Sequence, residues 1–181
     1  VNVDAISSLA FVVAAAAILV RRRQRTLALL VAAVGIGSFI QHGPHPSWQA
    51  YAHDLPLAAV LAYVAVDAAS DLTRRKLSPA WWLVPTAFVV PAVAIGHDTS
   101  TMVQVALAVV AIGLSVQRAR KRPALRGTLV AAIVVLGVGA AIGRLVPQGH
   151  AIWHVLAAVA LYLLAAAVGR RLSRSARSAG R

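Results

Sequence analysis

Apolar residues run along this chain in long stretches interrupted by short polar breaks. A helix that crosses a bilayer needs about 20 mostly apolar residues. Stretches of that order fall at 3–20, 26–42, 53–72, 79–96, 99–117, 124–146 and 149–169. The pattern predicts an all-α membrane protein built as a seven-transmembrane-helix bundle. Seven such spans use roughly 140 residues, which leaves no room in 181 for a soluble domain. The expected organisation is a single transmembrane domain over 1–172 and a basic, disordered cytoplasmic tail over 173–181, whose charge rests on anionic headgroups.

The breaks alternate in chemistry. Arg21, Arg22, Arg23 and Arg25 follow the first stretch, Arg74, Arg75 and Lys76 the third, and Arg118, Arg120, Lys121 and Arg122 the fifth. Gly43, Pro44 and Pro46 follow the second, Gly96, His97 and Asp98 the fourth, and Pro147, Gln148 and Gly149 the sixth. Cytoplasmic loops keep Lys and Arg, and every Lys and Arg except Arg144 falls on one side. The N-terminus is therefore expected outside and the C-terminus in the cytoplasm, in a multi-pass protein of the cell (plasma or inner) membrane. The first stretch should stay as a helix, because a secretory signal carries its positive charges before the apolar run, not after it. Val1 is not a normal initiator; an alternative start codon or a trimmed end would each account for it.

Composition sharpens this picture. The chain is 60% hydrophobic and only 13% charged, where a soluble domain carries about a quarter charged residues. A net charge of +13 invites a nucleic-acid partner, but its confinement to alternate loops makes it topological, and no nucleic acid is expected. Without cysteine, any metal must be held by His and Asp.

The six histidines, His42, His45, His53, His97, His150 and His154, all fall at the expected outer ends of helices or in outer loops. Imidazoles in a membrane usually face the bundle interior, with a partner or a function. Ser38 and His42 are four apart, as are His150 and His154, so each pair shares one helical face. Asp54 opens the third span at the same level. Three neutral imidazoles can fill three positions of a Zn²⁺ site and leave the fourth for water, the arrangement of a catalytic zinc. His42, His150 and His154 are the candidate ligands. A zinc-bound water can approach a pKa of about 7. Asp54 is the candidate to take its proton and pass it to a leaving amine, and Ser38 the candidate hydrogen-bond donor to that water or to the oxyanion.

These residues resemble a known family. Gly35 to His42 (GIGSFIQH), Trp48 through His53-Asp54-Leu55-Pro56-Leu57, and Gly149 to His154 (GHAIWH) are similar to the three signature segments of the alkaline ceramidases and their bacterial relatives. Those belong to the CREST superfamily of seven-helix membrane hydrolases, with the progestin and adipoQ receptors and the haemolysin III proteins. The resemblance implies a zinc-dependent amidase acting on a membrane lipid amide. It puts zinc on His42, His150 and His154, with Ser38 and Asp54 beside it as positioning and proton-transfer groups. The acidic N-terminal calcium site of the eukaryotic ceramidases has no counterpart, since only Asn2 and Asp4 stand there and the chain has no Glu. The likeness therefore concerns the site, not the substrate.

Other polar residues rank lower. His53 is a second-rank ligand or acid, His45 and His97 are expected as exposed loop residues, and Trp153 belongs to the outer aromatic belt or walls the site. Arg144 is expected to snorkel to headgroups, with neutralisation of a lipid head or of Asp54 as its other role. Asp67 and Asp71, four apart in the third span, are expected in an ion pair at the inner face, with Arg74 and Arg75 just beyond. Pro85 and Pro91 should kink the fourth span, and Gly35, Gly37, Gly139 and Gly143 should let helices approach closely. Rival functions are a non-catalytic receptor-like or haemolysin III-like module that binds a lipid or protein, and a membrane protein holding haem through facing histidines. A transporter is disfavoured by the clustering of polar residues at one face.

Overall fold

The computed structural model describes residues 2–170, so the tail expected at 173–181 lies outside the described residues. Within them every regular element is helical. The first segment, Val3–Arg22, consists of α1 (Val3–Ser7), α2 (Leu9–Ala17) and a π turn, Ile18–Arg22. Next come α3 (Arg25–His42) and α4 (Gln49–Thr73). A 3₁₀ turn, Pro79–Trp82, leads into α5 (Leu83–Ala87) and α6 (Val89–Ile95). The last three helices are α7 (His97–Lys121), α8 (Pro123–Leu145) and α9 (Gly149–Leu164). Five helices are long and apolar enough to cross a membrane: Val3–Arg22, α3, α4, α7 and α8. Two apolar segments, Ala80–Ile95 and Gly149–Leu164, are shorter.

The outward faces stay apolar. Val13, Leu29, Met102, Val109 and Val134 are all exposed, as expected of helices solvated by hydrocarbon on one side and by each other on the other.

Contacts close into a ring: α2 packs on α3, α3 on α4, α4 on α7, α7 on α8, α8 on α9, and α9 back on α2. The segment containing α5 and α6 leans on α4 and α7 from outside that ring. It is broken where a continuous span over 79–96 was expected. Pro91 has no N–H for the carbonyl of Ala87, and the helix restarts past Phe88. The first segment is also interrupted, at Ser8. There the hydroxyls of Ser7 and Ser8 both donate to the carbonyl of Asp4, at 2.9 Å each, which competes with the regular helical ladder.

Pro56 lies inside α4 and leaves the carbonyl of Ala52 without its helical donor. That carbonyl lies against α3 at Gly37, where an added Cβ would come within 1.9 Å of the oxygen. Only glycine allows α3 and α4 to meet this closely, and the meeting point lies between Ser38 on one helix and His53 on the other. Gly139 and Gly143 do the same for α8 against Trp153 of α9.

At the opposite end, Arg118 is 2% exposed. It donates to Asp71 at 2.9 Å, to Asp67 at 2.8 Å, and to the carbonyls of Ala167 and Arg170. Arg122 also pairs with Asp71. This corrects two expectations. The fifth span does not end at 117 but runs on to Lys121, and the inner-face acids pair with arginines of α7 and its cap rather than with the neighbouring Arg74 and Arg75. Arg74 instead ends α4 in a left-handed conformation, φ 57°. The cause is mutual desolvation: two carboxylates one turn apart on α4 hold a guanidinium that would otherwise be unpaired in the bundle.

Two outcomes follow from this packing. Gly37→Ala should separate α3 from α4 and lower stability by about 1–3 kcal/mol or more, seen as a fall in thermal unfolding temperature of the detergent-solubilised protein. Arg118→Met should cost about 3 kcal/mol by the same measurement, because it takes the cation from half-buried Asp67 and one of two from buried Asp71.

Candidate metal centre

α3 delivers Ser38 and His42 one turn apart, and α9 delivers His150 and His154 one turn apart. Ring closure through α2 brings the two helices to the same end of the bundle. One nitrogen from each of His42, His150 and His154 lies within 4.8 Å of the others, and the group can hold a metal ion. Nε2 of His42 and Nε2 of His150 are 3.1 Å apart. Two ligand nitrogens on a tetrahedral zinc stand about 3.3 Å apart, given bonds of about 2.0–2.1 Å. Small side-chain rotations bring the trio onto one ion. Their ring centroids are 4.6 to 5.2 Å apart.

Hydrogen bonding decides which nitrogen of His154 is available. Nδ1 lies 2.8 Å from Ser7 Oγ and 3.1 Å from the carbonyl oxygen of Asp4. The carbonyl can only accept, and the hydroxyls of Ser7 and Ser8 lie 2.9 Å from it as well. A proton on Nδ1 finds an acceptor there, and this is the tautomer that frees Nε2 for a metal. Nε2 lies 3.2 Å from Ser38 Oγ. A metal-ligating histidine typically gives its second ring N–H to a backbone carbonyl, fixing tautomer and orientation, and the donor set here fits a divalent metal. His154 is 2% exposed and Ser38 1%. Phe11 of α2 lies edge-on to the His154 ring at 5.8 Å.

Asp54 stands one step back. Its Oδ1 accepts from His53 Nδ1 at 2.7 Å and its Oδ2 from Ser100 of α7 at 2.6 Å. Gln104 donates to Ser100 at 3.2 Å. The structure thus places His53 between the carboxylate and the trio, with the His42 and His53 rings edge-to-face at 6.3 Å. The Nδ1–H donation to Asp54 leaves Nε2 of His53 as the basic nitrogen.

Trp153 packs on Gly139 and Gly143 and lines the cavity below the trio. Arg144 is exposed on α8, and the partners of Asp54 are His53 and Ser100 rather than this arginine. His97 is exposed at the start of α7, and His45 is an exposed turn residue at φ 51° that bonds Gln49. Sequence reasoning missed Asp4, Ser7, Ser8, Ser100 and Gln104. The paired serines of the first apolar run and the Ser100-x3-Gln104 spacing were the available signals.

Below the imidazoles a cavity of about 320 Å³ opens inside the ring. All six ring members contribute to its wall, among them Phe11, Val34, Val60, Ala108, Ile133 and Leu161. His53, His150, His154 and Ser38 border it at one end, Ser115 and Leu164 at the other. Along α9, from His150 to Leu164, a rise of about 1.5 Å per residue gives a length of about 21 Å.

Comparison of the chain with protein-family models and with curated proteins finds no match.

Because Nδ1 of His154 is oriented by Ser7, Ser7→Ala should weaken metal binding about 10-fold or more while leaving the fold intact. His154→Ala should abolish it. Titration of the metal-stripped protein against a competing chelator distinguishes the two. Equal affinity in wild type and Ser7→Ala would remove Ser7 from the centre.

Proposed function

We propose that this chain is an integral-membrane, zinc-dependent hydrolase of lipid amides, a ceramidase-like member of the CREST superfamily. The observation that carries the proposal is a cluster of three imidazoles, two of which, His150 and His154, border one end of an apolar cavity lined by membrane-type helices. A soluble substrate has no need of such a chamber; a lipid whose amide rests among the imidazoles and whose acyl chain fills the space below does. The quoted resemblance and the five long helices support the reading. With the shorter segments Ala80–Ile95 and Gly149–Leu164 added, the bundle has seven spans. The alternating basic loops orient it with the N-terminus outside, the C-terminus in the cytoplasm and the metal centre near the outer leaflet of the cell membrane.

His42, His150 and His154 hold the zinc through ring nitrogens. When bound, zinc supplies Lewis acidity that polarises an amide carbonyl and makes water nucleophilic near neutral pH. His53, braced by Asp54, takes the proton released as water adds to the carbonyl carbon. The C–N bond then breaks, and the same proton leaves on the amine, so the products are one carboxylic acid and one amine. Asp54 steadies the charged imidazole and fixes its ring, while Ser100 and Gln104 steady Asp54. Ser38, next to Nε2 of His154, donates a hydrogen bond to the oxygen that gains charge in the transition state.

The test is reconstitution of the zinc-loaded protein in vesicles with a panel of N-acyl lipids, followed by mass spectrometry. Acid and amine should appear in equal amounts, vanish in His154→Ala and fall about 10²–10⁴-fold in Asp54→Asn. A stoichiometric metal without product from any lipid amide would point to the receptor-like, non-hydrolytic function. Ala108→Phe, which intrudes on the middle of the cavity, should depress turnover of long-chain amides while sparing short-chain ones. An unchanged chain-length profile would mean that the acyl chain lies elsewhere.

A further inference from the structure

The end of the bundle opposite the imidazoles holds a second concavity, polar where the first is apolar. It encloses about 600 Å³ between residues 21–26 and the end of α9, and is lined by Arg21, Arg22, Arg23, Arg25 and Arg170 together with Gln24 and Tyr63. The backbone is shaped to gather these cations. The π turn Ile18–Arg22 ends at Arg23 in a left-handed conformation, φ 56°, which reverses the chain before α3. Gln24 then fastens the turn to α9 by donating to the carbonyls of Ala165 at 2.7 Å and Val168 at 2.6 Å.

Among the described residues this cluster has no carboxylate counter-charge. Of the five acids, Asp4, Asp54 and Asp98 belong to the imidazole end, while Asp67 and Asp71 are taken by Arg118 and Arg122. The carbonyls of the turn that follows α9 do not serve either, since Gln24 and Arg118 already occupy those of Ala165, Ala167 and Val168. Arg22 is the telling member. Its guanidinium lies 5.4 Å from the Tyr162 ring centre, and its Nε is buried without a hydrogen-bond partner. A guanidinium desolvated along one edge and unneutralised is unfavourable until an anion arrives. Several guanidinium forks around one open cleft match phosphoryl oxygens better than any other common anion.

We propose that this cleft binds a phosphoryl anion, supplied either by the headgroup of an anionic phospholipid or by free phosphate. The site is independent of the imidazole centre: it uses none of its residues and stands whether or not a lipid amide is cleaved.

The experiment uses the full chain. In one arm, protein in phosphatidylcholine nanodiscs doped with phosphatidylglycerol is released into native mass spectrometry and the retained lipid identified. In the other, thermal unfolding in neutral detergent is followed against inorganic phosphate, with chloride at equal ionic strength as control. Wild type should retain phosphatidylglycerol or be stabilised by phosphate, and the responding arm names the source. Affinity should fall about fivefold for each charge removed in Arg22→Gln and in the Arg21→Gln/Arg23→Gln double variant. Arg21 and Arg23 are exposed, so the double variant tests the site without disturbing the fold. Arg74→Gln/Arg75→Gln, the same charge loss in another basic loop, should leave binding unchanged. An equal fall in both double variants, or no response in either arm, would overturn the proposal.

Discussion

The imidazole end depends on the position of a single proton, the one on Nδ1 of His154. The carbonyl of Asp4, 3.1 Å away, can only accept, so it receives a proton on Nδ1 and favours the tautomer that frees Nε2 for a metal. His154 is 2% exposed, so a hydrogen bond to its ring counts for more than it would at an aqueous surface. Its consequence is a lone pair on Nε2 facing His42 and His150. The interruption of the first segment at Ser8 falls at the same place, where the hydroxyls of Ser7 and Ser8 lie against both the Asp4 carbonyl and the His154 ring.

The three clustered imidazoles were legible in the sequence because their chemistry and their spacing coincide: an imidazole is out of place in an apolar run, and a four-residue interval puts two on one face. Ser38 was legible for the same reason. The residues that orient the ligands were not. Ser7 and Ser8 act on a backbone carbonyl, and a carbonyl carries no signal in the sequence. Asp54 was visible, but its tether to His53 and Ser100 depends on how α4 meets α7, which no local pattern encodes. Arg118 was misread as a loop residue for an instructive reason. Counting basic residues sorts loops by side but treats every arginine alike, whereas this one is drawn into the bundle by Asp67 and Asp71, 51 and 47 positions away in the chain. The closeness of α3 and α4 at Gly37 was expected from glycine alone; that Pro56 frees the very carbonyl it meets became clear only from the packing.

Polarity is divided between the ends of the ring, with the apolar cavity between them. α4 joins the two. Asp54 belongs to its imidazole end and Asp67 with Asp71 to the other, about 20 Å apart at the helical rise. Each acid is matched across α4 and α7, by Ser100 at one level and Arg118 at the other. Two polar attachments to the same neighbour, with apolar contact between them, hold the axial register of these helices. Slippage by one turn would strand a buried carboxylate at both levels.

α9 is pinned in the same way, and this bears directly on the metal centre. At one end its His154 is tied to Asp4 and Ser7, and Gly149 seats against the carbonyl of Ile142, where a Cβ would come within 2.2 Å. Just past its other end the carbonyls of Ala165, Ala167 and Val168 receive Gln24 and Arg118, and the N–H of Gly169 reaches Asp67. α9 is among the shorter apolar segments of the chain, so hydrophobic matching to a bilayer would fix its depth only loosely. The polar clamps supply what length does not. They set how far His150 and His154 project along the axis, and hence whether their nitrogens reach the level of His42 on α3. The basic end and the imidazole end are in that sense one construction: arginine and glutamine at the far end of α9 hold the height of two ligands at the near end.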